Sequence, residues 1–214
     1  AVFADKDIGT GKSIAISGLS LSGSSAANYL LGSTVASASA SITAKQLTVT
    51  YTASDKVYDG SSSATVTQSI SGVVGSEVIT VSSSAATFAD KNVGTGKTVT
   101  ISGLSLGGAD AGNYTLSSTS TTTTATITAK TLTATYTASD KTYDGTTTAI
   151  VSAASTDIVT GDTVVINNTS ATFASKNVGT NKTINVTGIA LSGADASNYS
   201  LSSNSATSTA SITA

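Results

Sequence analysis

A glycine-rich pentapeptide is the first part of the chain whose residue types could do chemistry. It reads GTGKS at residues 9–13 and returns as GTGKT at 94–98. Glycines followed by Lys and Ser or Thr are typical of a phosphate-binding loop, whose full pattern G-x-x-x-x-G-K-[ST] lies between a strand and a helix. Lys6 and Lys91 stand where the first glycine of that pattern belongs. The residues that follow alternate as a strand, so no helix N-terminus is available to hold phosphate.

A third version of this pentapeptide favours a structural role. It reads GTNKT at 179–183, with Asn181 in place of the second glycine. Asn and Gly are the residues that most readily adopt positive φ. We therefore predict a tight turn, bent at Gly94 and Gly96 in the second version, with a lysine that faces solvent. We expect no nucleotide and no other cofactor at this position.

The composition excludes several classes of function. The chain has no His, Cys, Met, Trp or Pro, and its net charge is −2. Without His or Cys it can form neither a Ser-His-Asp triad, nor a thiol nucleophile, nor the usual zinc sites. All ten basic residues are Lys, so no strongly basic patch is available for nucleic acid. We predict that the protein is not an enzyme.

The chain has neither a long apolar run nor an initial Met. No apolar run approaches the roughly 18–20 residues that span a bilayer, so we predict no membrane span. Position 1 is Ala, which favours a processed product or an internal piece of a longer protein.

Self-comparison shows that the chain is a repeat of 85 residues. Phe3, Phe88 and Phe173 open matching segments, and 88 − 3 and 173 − 88 both equal 85. This period exceeds the roughly 20–50 residues of one solenoid coil and suits a small domain. We predict whole copies at 45–129 and 130–214. Residues 1–44 match the C-terminal half of a copy, which is an incomplete sandwich unless complemented. Either the chain is cut from a longer array, or another chain supplies the missing strands.

Alternation of apolar residues with Ser and Thr dominates each copy. It is clear in LTVTYT (47–52) and TVTISGLSL (98–106), and glycine-rich turn signals separate such stretches. This pattern predicts an all-β fold of tandem immunoglobulin-like antiparallel β-sandwich domains, with about seven strands per copy. The segment DAGNY (110–114) has the Asp-x-Gly-x-Tyr form of a tyrosine corner. It predicts that the Tyr114 hydroxyl returns to backbone upstream.

Four segments in order resemble a known family. They are KVYDG (56–60), FADKNVGTGKTV (88–99), GLSLGGADAGNYTL (103–116) and TATITAK (124–130). Together they resemble the YDG repeat domains, found in tandem in large bacterial surface and secreted proteins of the adhesin and filamentous-haemagglutinin-like type. The resemblance covers essentially the whole chain. It implies a β-rich, immunoglobulin-like spacer outside the cell, without catalysis.

We assign structural roles to the residues that mark each copy. They are Tyr58, Asp59, Gly60, Phe88, Gly94, Gly96, Asp110, Tyr114, Tyr143, Asp144, Gly145, Phe173, Asp195 and Tyr199. Asp-Gly is a common turn pair, so the YDG triplets are interpreted as turns whose tyrosine packs on the sandwich. A calcium site formed by Asp55, Asp59 and Asp110 is the weaker alternative, because calcium takes six to eight oxygens.

Three functions remain open at this stage. The leading hypothesis is a stalk or spacer of a bacterial surface adhesin, located outside the cell or on its surface. The second is the repeating subunit of a self-assembling extracellular filament or sheath, with strand complementation between chains. The third is a carbohydrate-binding adhesive module, against which the absence of Trp counts. The expected partners are neighbouring repeats, identical chains in a fibre, and glycans bound by regions outside this chain, but no nucleic acid.

Overall fold

The computed structural model describes residues 1–214 and consists of strands and loops. It has 22 strands, three single turns of 3-10 helix and no α-helix, which confirms the predicted all-β class. No helical segment has the length and apolar character needed to cross a bilayer.

The first, partial copy is a three-stranded antiparallel sheet in the order β1-β2-β3. Its strands are β1 (Val2–Phe3), β2 (Gly9–Ser17) and β3 (Val35–Ile42). One long edge of β3 has no partner strand within the sheet.

The second copy contains nine strands. They are β4 (Lys45–Ala53), β5 (Lys56–Val57), β6 (Val66–Ser71), β7 (Thr80–Ser82), β8 (Ala85–Phe88), β9 (Gly94–Ser102), β10 (Ser105–Gly107), β11 (Tyr114–Leu116) and β12 (Ser120–Thr128). Their sheets run in the orders β11-β4-β6, β5-β12-β9-β8 and β10-β7.

The third copy repeats this plan with ten strands, because the counterpart of β4 is divided in two. They are β13 (Lys130–Leu132), β14 (Thr135–Ala138), β15 (Lys141–Thr142), β16 (Val151–Ala154), β17 (Val165–Asn167), β18 (Ser170–Phe173), β19 (Gly179–Thr187), β20 (Ala190–Ser192), β21 (Tyr199–Leu201) and β22 (Ser205–Thr213). Their sheets run β13-β21, β14-β16, β15-β22-β19-β18 and β17-β20.

Two details of the predicted fold need correction. Nine or ten strands replace the seven expected, because strands of two or three residues are too short to show alternation. The pairing is also not purely antiparallel, since β4 with β11, β5 with β12, β13 with β21 and β15 with β22 are parallel. Each parallel pair joins strands far apart in sequence, where no hairpin imposes an antiparallel direction.

The chain divides into two compact units that do not coincide with the copies. The first comprises Ala1–Thr52, Val66–Ala86 and Thr100–Thr122. The second comprises Ala53–Thr65, Thr87–Val99 and Thr123–Ala214. The first unit therefore contains the whole partial copy and part of the second copy, and the second unit contains the rest of the second copy and the whole third copy.

The core follows the alternation of the sequence. In β9, Val99 and Ile101 are fully buried while the neighbouring Thr98 and Thr100 are exposed. Alternate residues of the strands also form most of a buried cluster in the third copy. Its members are Tyr136, Ala171, Phe173, Ile184, Val186, Ile189, Ala210 and Ile212. Burial of such side chains contributes about 1.5–3 kcal/mol each for the larger ones.

One buried hydroxyl in this cluster lacks a partner. Tyr51 donates its hydroxyl to Gln68 Oε1 at 3.0 Å. Its counterpart Tyr136 lies opposite Ala153, which stands where the second copy has Gln68, and the Tyr136 hydroxyl is buried without a hydrogen bond.

We therefore expect opposite results from one substitution in two copies. Tyr136→Phe removes an unpaired buried hydroxyl and should leave the free energy of unfolding unchanged or raise it. Tyr51→Phe removes a hydrogen bond and should lower it by about 1 kcal/mol. Urea unfolding followed by circular dichroism measures both. A larger loss for Tyr136→Phe than for Tyr51→Phe would contradict the geometry.

Candidate functional site: the junctions between copies

The GTGK segments lie inside strands, which corrects the predicted turn. Gly9 pairs with Ile42 while Lys12 pairs with Ala40, so β2 has one extra residue and forms a β-bulge. The residue before the lysine has positive φ in each version: +63° at Gly11, +58° at Gly96 and +48° at Asn181. The predicted positive φ is therefore confirmed at this position. It does not distinguish a turn from a bulge, because both use positive φ.

The lysine of this segment is not solvent-facing, contrary to the prediction. The Lys12 and Lys97 side chains are only 12 % exposed, and they form ion pairs with Asp5 and Asp90. In the third copy, Lys182 donates instead to Ser175 Oγ and the Asn177 carbonyl. The lysine thus ties the preceding loop to the bulge, and the arrangement offers no phosphate cradle.

The YDG loop is organised by the lysine two residues before its tyrosine. Lys56 Nζ donates to Asp59 Oδ1, to the carbonyls of Ser61 and Ser63, and to Ser61 Oγ, at 2.8–3.1 Å. It also lies 5.7 Å from the centre of the Phe88 ring. Asp59 accepts from the Ser61 amide at 2.8 Å, which bends the chain as expected for Asp-Gly.

The third copy builds the same loop. Lys141 contacts Asp144, Thr146 and Thr148 in the same way and lies 5.7 Å from the Phe173 ring centre. In both copies, the YDG triplet and the phenylalanine 30 residues after its tyrosine, Phe88 or Phe173, are therefore parts of one local structure.

The structure does not bring the three calcium candidates together. Asp55 accepts from the Thr126 amide at 2.6 Å, Asp59 binds Lys56, and Asp110 binds Lys6. No group of three or more acidic side chains is close enough to share a metal ion.

A buried carboxylate joins the second copy to the third. The side chain of Asp162 is only 2 % exposed, and its Oδ2 accepts from the hydroxyls of Tyr58 at 2.8 Å and Tyr199 at 2.7 Å. Its Oδ1 accepts from Lys91 Nζ at 2.9 Å. Tyr58 and Lys91 belong to the second copy, whereas Asp162 and Tyr199 belong to the third. We call these residues, with those of the next paragraph, the second junction.

Backbone groups extend the second junction. The Val93 amide donates to Asn198 Oδ1 at 2.9 Å, and Asn198 is itself buried. Gly60 lies so close to Val159 that an added Cβ would be 2.7 Å from Val159 Cγ1. The glycine of the YDG triplet therefore has a packing role, besides its φ of +80°.

The first copy meets the second through residues at equivalent positions, 85 earlier in the chain. Lys6 Nζ donates to Glu77 Oε1 at 2.6 Å and to Asp110 Oδ1 at 2.8 Å. The Ile8 amide donates to Asn113 Oδ1 at 2.9 Å, and the Tyr114 hydroxyl donates to Glu77 Oε2 at 2.5 Å. These contacts form the first junction.

The tyrosine-corner motif serves these junctions. The Tyr114 hydroxyl contacts upstream backbone, but it accepts from the Val74 amide at 2.9 Å, 40 residues away, rather than bonding a few residues back. Tyr199 repeats this with Val159 at 2.8 Å. The predicted contact of the Tyr114 hydroxyl with upstream backbone is therefore present. Asp195, four residues before Tyr199, also belongs to the second junction, because its Oδ1 lies 3.5 Å from Lys91 Nζ.

Residues without a neighbouring copy are exposed. Tyr143, the counterpart of buried Tyr58, is 48 % exposed. Tyr29, the counterpart of buried Tyr114, is 72 % exposed. Lys176, the counterpart of Lys91, is exposed and forms no ion pair. The same residue types are thus buried or exposed according to whether another copy packs against them.

The electrostatics of the second junction keep its acid charged and its tyrosines neutral. Burial alone would raise the pKa of Asp162, but hydrogen bonds from Tyr199, Lys91 and Tyr58 lower it below its usual value. Burial, together with the hydrogen bond to Asp162, raises the pKa of Tyr199 to about 12. The hydrogen bond to Asp162 is the main cause that raises the pKa of Lys91.

We expect acid to weaken the fold between about pH 4 and pH 2. Bonding to Lys6 lowers the pKa of Glu77 and Asp110, and bonding to Lys141 lowers that of Asp144 from 3.8 to about 2. A carboxylate with a lowered folded pKa stabilises the fold above its unfolded pKa, and that contribution is lost as pH falls through the folded value. Urea unfolding at successive pH values measures this. Constant stability from pH 4 to pH 2 would contradict the ion-pair assignments.

The sequence interpretation missed the acid at the centre of each junction. Glu77 and Asp162 lie in loops whose sequences differ, VGSE and VTGD. Glu77 contacts Lys6, 71 positions away, and Asp162 contacts Tyr58, 104 positions away. The signal that could have found them is their 85-residue spacing, because the chain has only 12 acidic residues.

Together, the all-β copies and the matching junctions define a tandem-repeat protein whose successive copies pack against each other. Comparison with family models adds the family: the YDG domain matches residues 1–38, 43–124 and 128–208. The chain therefore belongs to the YDG domain family. No curated protein and no solved structure matches it.

Proposed function

We propose that the chain is a non-enzymatic structural region that acts as a stalk or spacer of a bacterial surface adhesin, outside the cell. One observation carries this proposal: in both junctions a lysine, an acid, an asparagine and a tyrosine meet at equivalent positions, 85 residues apart. A spacer needs copies that hold a fixed position relative to their neighbours. The second junction supports this through a buried carboxylate with three donors.

The short connections between copies support the same role. Only Thr43 and Ala44 separate β3 from β4, and only Ala129 separates β12 from β13. Such connections lack the length of a flexible Gly/Ser linker. With the junction contacts, they favour limited bending between copies.

Two results in the bacterium that makes the protein would test the spacer role. Antibodies against the chain should label intact cells. In-frame deletion of residues 130–214 should shorten the distance from the cell to the adhesive tip in electron micrographs, while ligand binding persists. Absence of surface labelling, or loss of ligand binding by the shortened purified protein, would contradict the proposal.

The first copy favours a second candidate, a filament subunit completed by a strand from another chain. Its free β3 edge and its exposed apolar residues, among them Val2, Leu30 and Val35, lack a cover. An open edge of this kind can accept a strand from a partner. Electron microscopy of the purified chain should then show fibres, whereas a monomer by sedimentation would count against this candidate.

A further inference from the structure

A cavity of about 250 Å³ lies in the first junction. It exceeds the space of one water molecule, whose share of the liquid is about 30 Å³. Its wall includes Lys6, Ile42, Thr43, Val74, Glu77 and Tyr114. Each of these residues lies 85 positions before one that contacts the segment 56–60, which contains the first YDG triplet, in the second junction.

Three residues that contact the Tyr58 side chain have counterparts in the cavity wall. Its hydroxyl bonds to Asp162, and its ring meets the Tyr199 ring edge-on, with centres 5.5 Å apart. Lys91 Nζ lies 5.8 Å from the Tyr58 ring centre. The counterparts of these three contact residues in the cavity wall are Glu77, Tyr114 and Lys6.

The residues that contact the backbone of the segment 56–60 also have counterparts in the cavity wall. The Tyr58 amide donates to the Thr128 carbonyl at 2.8 Å, and β5 pairs in parallel with β12 at Ile127 and Thr128. Gly60 packs on Val159. The corresponding residues in the cavity wall are Ile42 and Thr43, at the end of β3, and Val74.

The acid in the cavity wall has one donor fewer than its counterpart. Asp162 Oδ2 accepts from two tyrosines, whereas Glu77 Oε2 accepts from Tyr114 alone. The β3 edge is also unpaired, where β12 pairs with β5. The cavity therefore presents a free acceptor, an aromatic wall and a free strand edge, in the arrangement that binds Tyr58 elsewhere in the chain.

We propose that this cavity binds an extended Lys-x-Tyr-Asp-Gly segment. The tyrosine fills the cavity and donates to Glu77, and the backbone of the segment pairs in parallel with Ile42, the last residue of β3, and with Thr43, which follows it. This is strand addition at a free sheet edge with a pocket for one side chain. The proposal goes beyond the spacer role, which stands whether or not the cavity binds a peptide.

A peptide with the sequence of residues 53–62, ASDKVYDGSS, tests the proposal on the full chain. The peptide carries a fluorophore at its amino end, and anisotropy reports binding. We expect saturable binding of one peptide per chain. Replacing its tyrosine with Ala should weaken binding at least tenfold, and replacing it with Phe should weaken binding about fivefold through loss of the hydroxyl bond.

The variant Val74→Trp tests whether the peptide binds in the cavity. Val74 is half exposed and contributes its backbone amide, not its side chain, to the Tyr114 bond. Val74→Trp should therefore fill the cavity, abolish peptide binding and leave the circular dichroism spectrum unchanged.

Three outcomes would overturn the proposal. They are no saturable binding up to about 1 mM peptide, equal binding of the Ala peptide, and unchanged binding to a folded Val74→Trp chain.

Discussion

Asp162→Asn is expected to destabilise the chain by about 2–4 kcal/mol. The substitution replaces one carboxylate oxygen with an amide that cannot accept, and it removes the negative charge opposite Lys91. Loss of one partner of a buried pair costs about 3–5 kcal/mol. The loss is smaller here because Lys91 remains 39 % exposed and water screens part of its charge. Urea unfolding followed by circular dichroism measures the change.

Glu77→Gln is the matched control, since Glu77 stands at the same position one copy earlier. Glu77 is more exposed than Asp162, at 16 % against 2 %. It accepts from one tyrosine rather than two. We expect a smaller loss than for Asp162→Asn. An equal or larger loss would show that the number of donors and the burial do not set the strength of the junction.

Tyr58→Ala and Tyr143→Ala should differ by several kcal/mol, although both remove the tyrosine of a YDG triplet. Tyr58 is 2 % exposed and contacts the third copy, so its loss leaves a cavity and two groups without their partner. Truncation of a buried aromatic residue costs about 3–5 kcal/mol. Tyr143 is half exposed, so its truncation should change the free energy of unfolding by less than about 0.5 kcal/mol.

Tyr58→Phe separates the hydroxyl from the ring. It keeps the edge-on contact with Tyr199 and removes only the bond to Asp162, which should cost about 1–3 kcal/mol because the acceptor is charged. The same unfolding measurement serves all three variants. Similar losses for Tyr58→Ala and Tyr143→Ala would mean that the tyrosine stabilises its own copy rather than the junction.

The parts of the fold that could be predicted from the sequence are those with local signals. Alternation in LTVTYT and TVTISGLSL indicated β4 and β9, because burial in a strand has a period of two. Positive φ at Gly96 and Asn181 was expected from residue type. A bulge was mistaken for a turn because the residue preference at one position does not show whether pairing continues beyond it.

The junctions could not be predicted in this way because their contacts are distant in sequence. Lys91 and Asp162 are 71 residues apart, and Tyr58 and Asp162 are 104 apart. An Asp-Lys pair such as Asp90-Lys91 has the sequence of an exposed turn, and its local pattern does not show that the lysine contacts the next copy. Only comparison of whole copies, including their differing loops, contains the relevant signal.

Amide hydrogen exchange on the unmodified chain tests the central claim most directly, namely that successive copies pack through the junction residues. The Val93 amide donates to Asn198 across the second junction. Val178 is its counterpart in the third copy and is exposed, with no neighbouring copy against it. We predict strong protection of the Val93 amide and fast exchange of the Val178 amide, measured by NMR at one pH. Equal, fast exchange at both positions would contradict the claim.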